Sequence, residues 1–250
     1  PIMTSPQLNE FLNTLSLKQV KAEKMKRSLR EFTKNSWEAI EPGRDFQDNW
    51  HIDAGSLSIR DSVKCRRLID SRWYKEHFGE SFKLTGDQNQ KQRFENDHTG
   101  ARIATSVDGA LTGEGGDIIV IDDPHNVRES ESSTVRDGVL EWWDKAMQTR
   151  LNDPKTGAFI IIMQRVHEKD LTGHILANEM EGEWDHLCIP ARYEIGHPTP
   201  TRSRLGFTDP RTKEGDILWP ERIDVKTLEN LERSLGSYAS AGQLQQRPMP

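Results

Sequence analysis

The run Asp117–Asp123, DIIVIDD, constrains the fold more than any other stretch: the β-favouring apolar residues Ile118 to Ile121 end in two adjacent carboxylates. A short continuous run of this kind predicts a strand buried on both faces, as in a parallel α/β sheet. Ligand crevices of open α/β sheets lie at the carboxyl ends of their strands, which is where Asp122 and Asp123 would stand. Ionised carboxylates leaving an apolar strand are costly unless hydrogen-bonded, paired or bound to a cation, so the pair suits a Mg²⁺ ion. It suits capping of the following turn equally well, and the strand alone leaves both open.

The flanking sequence predicts further members of the same layer. Ala158–Gln164 (AFIIIMQ) is a second buried strand, and Asp185–Pro190 and Ala101–Val107 are shorter candidates. Helices are predicted over Ser130–Leu151 and His167–Ala177, giving alternating strands and helices and hence a three-layer α/β domain with a mostly parallel sheet. Upstream, Gly55–Phe78 reads as helix, and Phe82–Thr85 with Arg93–Asn96 as a hairpin. One or two helices are expected within Ser5–Phe32, where Ser5 and Pro6 suit the cap and first turn. Ile195–Gly215 reads as loop, Asp224–Leu235 as a last helix, and GQLQQRPMP as a polar tail.

Composition narrows the function classes. With 34% apolar and 30% charged residues, much of the chain should be solvated helix and loop around a modest core. The net charge of −6 argues against indiscriminate coating of nucleic acid, so any such contact must be local. Lys18 to Lys34 is the most basic stretch, and such a run equally makes a solvated helix face. No run reaches the ~18 apolar residues of a membrane span, and the amino terminus lacks a basic-then-apolar signal pattern, so a cytoplasmic setting without membrane partners is expected. Cys65 and Cys188 stand alone, without metal-ligand spacing, and read as reduced and structural.

Several residues join the acid pair as candidates. Thr112-Gly113-Glu114-Gly115-Gly116 could bring backbone N–H groups near an anion, or simply turn the chain before the strand. Gln164 and Arg165 end the second strand beside the acids, where an amide and a cation could sense a γ-phosphate; Arg165 also suits a surface ion pair. His167 reads as a helix-start residue, since nothing at metal spacing accompanies it. Trp142 and Trp143 point about 100° apart on a helix, so core packing claims at least one. Trp37, Phe46 and Trp50 could form a satellite cluster or a surface for an adenine ring.

Taken together, TGEGGDIIVIDDPHNVRE, WWDKAMQTRLNDPKTGAFIIIMQRVHEKDLTGHI and SYASAGQLQQRPMP resemble the ATPase domain of phage terminase large subunits, over roughly residues 31–250. The resemblance implies a P-loop NTPase-like domain at 37–250 behind a helical, basic segment at 1–36. It implies that Ile118–Asp122 is the Walker B strand, Asp122 the metal-site acid and Asp123 the catalytic carboxylate. Gln164 and Arg165 would belong to the motif that couples hydrolysis to movement. FQDNWHIDA resembles the family's segment beside the adenine, which implicates Trp50 and His51, while Gly115 and Gly116 would approach the phosphates. ATP and Mg²⁺ are the implied cofactors. Double-stranded DNA, a terminase small subunit, a portal protein and further copies in a ring are the implied partners, in a host-cell cytoplasm.

One departure from the family pattern carries weight. Nothing reads as GxxxxGK[ST] or its looser relatives, and Ala54 runs directly into Gly55 where the family has its phosphate loop. A strand, loop, helix and following strand need roughly fifty residues, so a block of about that size is missing there. Without the loop's N–H groups and lysine, ATP hydrolysis by this chain alone is expected to be weak or nil. The chain also stops where the family's nuclease domain would start. Two further expectations stand beside the motor: a non-catalytic prophage remnant acting as an interaction module, and a metal-dependent phosphoesterase using Asp122, Asp123 and His125.

Overall fold

The computed structural model describes residues 19, 21–22, 25–26, 28–40, 59–107, 113–178, 183–204 and 206–249. Trp50, His51, Thr112, the Ala54–Gly55 junction and most of the expected amino-terminal helices lie outside the described residues. The chain divides into two compact units, residues 1–106 and 107–250.

In the first unit, α1 (Leu29–Ile40), α2 (Ile59–Asp70) and α3 (Arg72–Phe78) precede a three-stranded antiparallel sheet of β1 (Leu84–Asn89), β2 (Arg93–Asn96) and β3 (Ala101–Ile103). The 36/37 boundary read from the sequence lies inside α1. Ser71 separates α2 from α3: its extended backbone stops one helix, and its Oγ accepts the Tyr74 N–H at 3.1 Å to start the next. Ala22, Met25 and Phe78 form the core with Phe32, Trp73 and Tyr74, and Phe32 meets Trp73 edge-on at 5.7 Å. Ser62 and Arg66 of α2 hydrogen-bond Lys91 and Asn89, tying the helices to the hairpin.

The second unit is built on β4 (Ile118–Asp122) and β5 (Ala158–Ile162), paired in parallel from Ile118↔Ala158 to Asp122↔Ile162. Between them the chain passes through α4 (Ser133–Trp142), which continues as a π-helical turn over Trp143–Met147. That turn sends both Trp143 and Met147 inward, where they pack with Ile121, Leu171 and Ile175. Trp143 is 2% exposed and Trp142 half-buried, as the angular argument required of one of them. Next come α5 (Leu171–Asn178), the described residues of 183–224 without a strand or α-helix, and α6 (Val225–Ala239), which kinks at Gly236 (φ 76°) and runs into a second π-helical turn, Ser240–Leu244.

The architecture is therefore mixed α/β with a small parallel sheet and helices. Three sequence expectations are corrected. Ala101–Ile103 pairs antiparallel with β2 and belongs to the first unit, because a strand so short takes the nearest unpaired edge, that of its own hairpin. Asp185–Pro190 makes no strand: Thr201 Oγ1 donates to Cys188 O at 2.6 Å, and Asp185 accepts the Arg204 N–H, so side chains and loops take its polar groups. The central strands, expected to be buried on both faces, are buried on one. Ile119, Ile121, Phe159 and Ile161 face the helices, while Ile118 and Ile160 on the other face are 65% and 44% exposed. An apolar run reports what a strand can bury, and a second covering layer has to be supplied from elsewhere.

Candidate functional site

Asp122 is the last residue of β4, half-buried and level with Ile162 of the neighbouring strand. Asp123 then turns out of the ladder. Its N–H still donates to Ile162 O at 2.8 Å, but its φ of 43° is left-handed, a region that non-glycine residues rarely enter and that Asp tolerates better than most. The turn leaves the Asp123 side chain exposed, with Oδ1 accepting the Gln164 N–H at 3.2 Å. The parallel register thus sets the acid pair and Gln164 side by side at the carboxyl edge, where the sequence placed them.

Arg165 is adjacent, but its guanidinium looks elsewhere. Nε donates to both carboxylate oxygens of Asp170 at 2.9 Å, and Nη2 reaches the carbonyls of His167 and Glu168. Asp170 is fully buried and also accepts the N–H groups of Val166 (3.0 Å), His167 (3.4 Å) and Gly173 (2.9 Å). It caps α5 and holds the 165–170 loop in one bonded unit. Of the two roles open to Arg165, the ion pair is the one formed, within the interior.

His125 follows the acids by two residues and is buried. Its Nε2 accepts the Leu171 N–H at 2.8 Å, which places its proton on Nδ1. Burial pushes its pKa below the usual imidazole value; Asp170 opposes this, while Arg136 and His167 add to it. With that nitrogen engaged, His125 is a fixed strut between the acid-bearing turn and α5. Among the described residues no group of three His, Cys, Asp or Glu side chains is arranged to hold a metal ion. A cation held by Asp122 and Asp123 would need phosphate oxygens and water for its remaining ligands.

Gly115 and Gly116 lie at the opposite end of β4. At ~3.3 Å per residue, six residues separate Gly116 from Asp122 by roughly 20 Å, so they do not share a site. Gly116 extends the ladder, donating to Arg150 O and accepting from Asn152 N–H at 3.0 Å each. A Cβ on Gly115 would lie 2.5 Å from Asn152 Oδ1, so that glycine allows close packing of the turn.

No protein-family model matches the chain, and no curated protein matches it.

Two features went unread in the sequence. Asp170 is the first; in EKDL it looks like any helix-capping acid. The second is the polar tail, which is woven into the unit. Gln246 Oε1 accepts the Arg165 N–H at 3.0 Å while its Nε2 donates to Gln243 O. Gln245 pairs with the backbone of Arg192 and with Glu194. A shallow cleft of about 140 Å³ lies where the tail meets this loop, bordered by Ser130, Arg165, Tyr238, Gly242 and Pro248. It is smaller than the ~300 Å³ at which small-molecule pockets begin, and it is not at the acid pair.

Proposed function

We propose that this chain is a portion of the ATP-driven DNA-packaging motor of a phage terminase large subunit, keeping the metal-and-sensor side of a P-loop NTPase-like site and lacking its phosphate loop. The observation that carries this reading is the pairing of β4 with β5, which sets Asp122 and Asp123 beside Gln164 at one sheet edge. In this reading Asp122 would hold the Mg²⁺ and Asp123 would accept a hydrogen bond from the attacking water. The ion, when bound, neutralises charge on the phosphates. Gln164 reports the state of the acid pair through its bonded amide, and Arg165 fixes the loop that carries Gln164. DNA, a small subunit, a portal and neighbouring copies are the partners this reading proposes.

Titration with a fluorescent ATP analogue in the presence and absence of Mg²⁺ tests it. The expected result is weak, saturable, Mg²⁺-dependent binding that is lost in Asp122→Ala, with little or no turnover. Binding that ignores Mg²⁺ or Asp122, or no binding at all, would count against the motor assignment. The exposed apolar face carrying Ile118 and Ile160 favours a second reading, a non-catalytic interaction module, which the absence of nucleotide binding would leave standing.

A further inference from the structure

The backbone N–H groups of Gln164 and Arg165 are consecutive, and each is bound by a side chain from a different part of the chain. Asp123 takes the first at 3.2 Å and Gln246 the second at 3.0 Å. Both of these acceptor residues have left-handed backbones, at φ 43° and 55°, and the one other described non-glycine residue at positive φ is Thr99. Such conformations persist only where surrounding structure over-determines them, and they gather at sites that switch or bind. Here both flank one dipeptide.

The segment bearing Gln246 is pressed against the same dipeptide. A Cβ on Gly242 would stand 2.8 Å from Arg165 O, so only glycine permits this approach. Gln246 N–H donates to Gly242 O at 2.8 Å, fixing the residue that reaches Arg165 to the one that packs on it. The other side of the segment is tied to the 191–197 loop: Ala191 N–H donates to Leu244 O, and a His197 ring nitrogen lies 2.7 Å from Gln245 O. Adjacent glutamines thus face two different loops, and the acid pair and the carboxyl-terminal segment are joined through two neighbouring amides.

We propose that residues 240–248 form a latch on Gln164–Arg165, reciprocally coupled to the Asp123 carboxylate. Drawing Asp123 away from the Gln164 amide loosens the latch, and releasing the latch frees the dipeptide from the acid pair, since coupling between two sites is mutual. That the natural trigger is a Mg²⁺–nucleotide at the acids rests on the function proposed above; the latch itself rests on the geometry alone.

Hydrogen exchange, followed by mass spectrometry on the whole chain, tests the two separately. Asp123→Ala should speed exchange in peptides from 240–249, and Gln246→Ala should speed it around 162–166. Each effect should be roughly three- to tenfold, the scale of one net hydrogen bond. Peptides from α4 should not change, and Gln246→Glu, which keeps the acceptor for Arg165 but loses the Nε2 donor to Gln243 O, should restore the wild-type pattern around 162–166. If Gln246→Ala accelerates exchange throughout the unit, Gln246→Asn, shorter by one methylene, is held to the same local pattern. Changes confined to each variant's own segment would overturn the latch. In wild type, Mg²⁺ with a non-hydrolysable ATP analogue should loosen 240–249 as Asp123→Ala does. Failure of that arm alone, with the variants still reciprocal, would remove the nucleotide and leave the latch.

Discussion

Asp170→Ala is the substitution to which the second unit should be most sensitive. The carboxylate is 0% exposed and takes four N–H donors, Arg165 Nε shared between its two oxygens and three backbone N–H groups. Removing it strands a guanidinium whose side chain is 14% exposed, and breaking a buried pair from one side costs about 3–5 kcal/mol. Part of that, about 1 kcal/mol, is the lost cap on α5. Against a typical domain stability of 5–15 kcal/mol, the variant should sit near its unfolding threshold. Urea denaturation, read by tryptophan fluorescence, to which Trp143 in the adjoining core contributes, gives the number. Arg165→Met should cost a similar amount, while Arg165→Met with Asp170→Leu, which leaves no unpaired charge and loses only the backbone N–H bonds, should cost clearly less than the sum of the two. A cost below about 1 kcal/mol for Asp170→Ala, or strict additivity in the double variant, would refute the view that the pair holds the 165–170 loop.

Three other outcomes follow from particular contacts. His125 and His186 both have pKa values lowered chiefly by burial, so the stability gained by keeping them neutral is fully present above about pH 6.5 and is lost as pH falls through their folded values. Urea midpoints should therefore fall between pH 7 and pH 5.5, and a midpoint that rises on acidification would contradict the burial assigned to them. A Cβ at Gly173 would lie 1.8 Å from Glu168 O, so Gly173→Ala should destabilise by about 1–3 kcal/mol, whereas Gly138→Ala, in open space on α4, should stabilise by roughly 0.5–1 kcal/mol; equal thermal shifts would show the helix starts to be softer than drawn. Arg136 is buried, bonds Ser130 O through Nη1 and has no hydrogen-bond partner for Nε among the described residues, so Arg136→Leu should leave the urea midpoint unchanged or raise it, and a marked loss would reveal an anion that it serves.

The parts of the fold legible in the sequence are those written in local pattern. The apolar run before Asp122 and its partner at 158–162 read as strands, and the hairpin, the last helix and the burial of at least one of Trp142 and Trp143 were equally local. Pairing was less legible, because a three-residue strand such as Ala101–Ile103 carries no mark of which sheet it joins. The same limit applies to the site. Asp122, Asp123 and Gln164 were found by their place at strand ends, which the parallel register then brought together. Arg165 was placed correctly along the chain, but its direction depends on Asp170, a residue whose burial no spacing reveals. Gln246 acts 81 residues away from Arg165, beyond the reach of any periodic signal.

The weave of residues 240–248 also bears on how the protein is made. While a nascent chain has reached only Arg165, the amide of that residue has water as its partner, and the acceptor that engages it is synthesised 81 residues later. Maturation of the carboxyl edge of the sheet therefore waits for translation to pass Gln246. Until then the 165–170 loop is held from within, by Asp170.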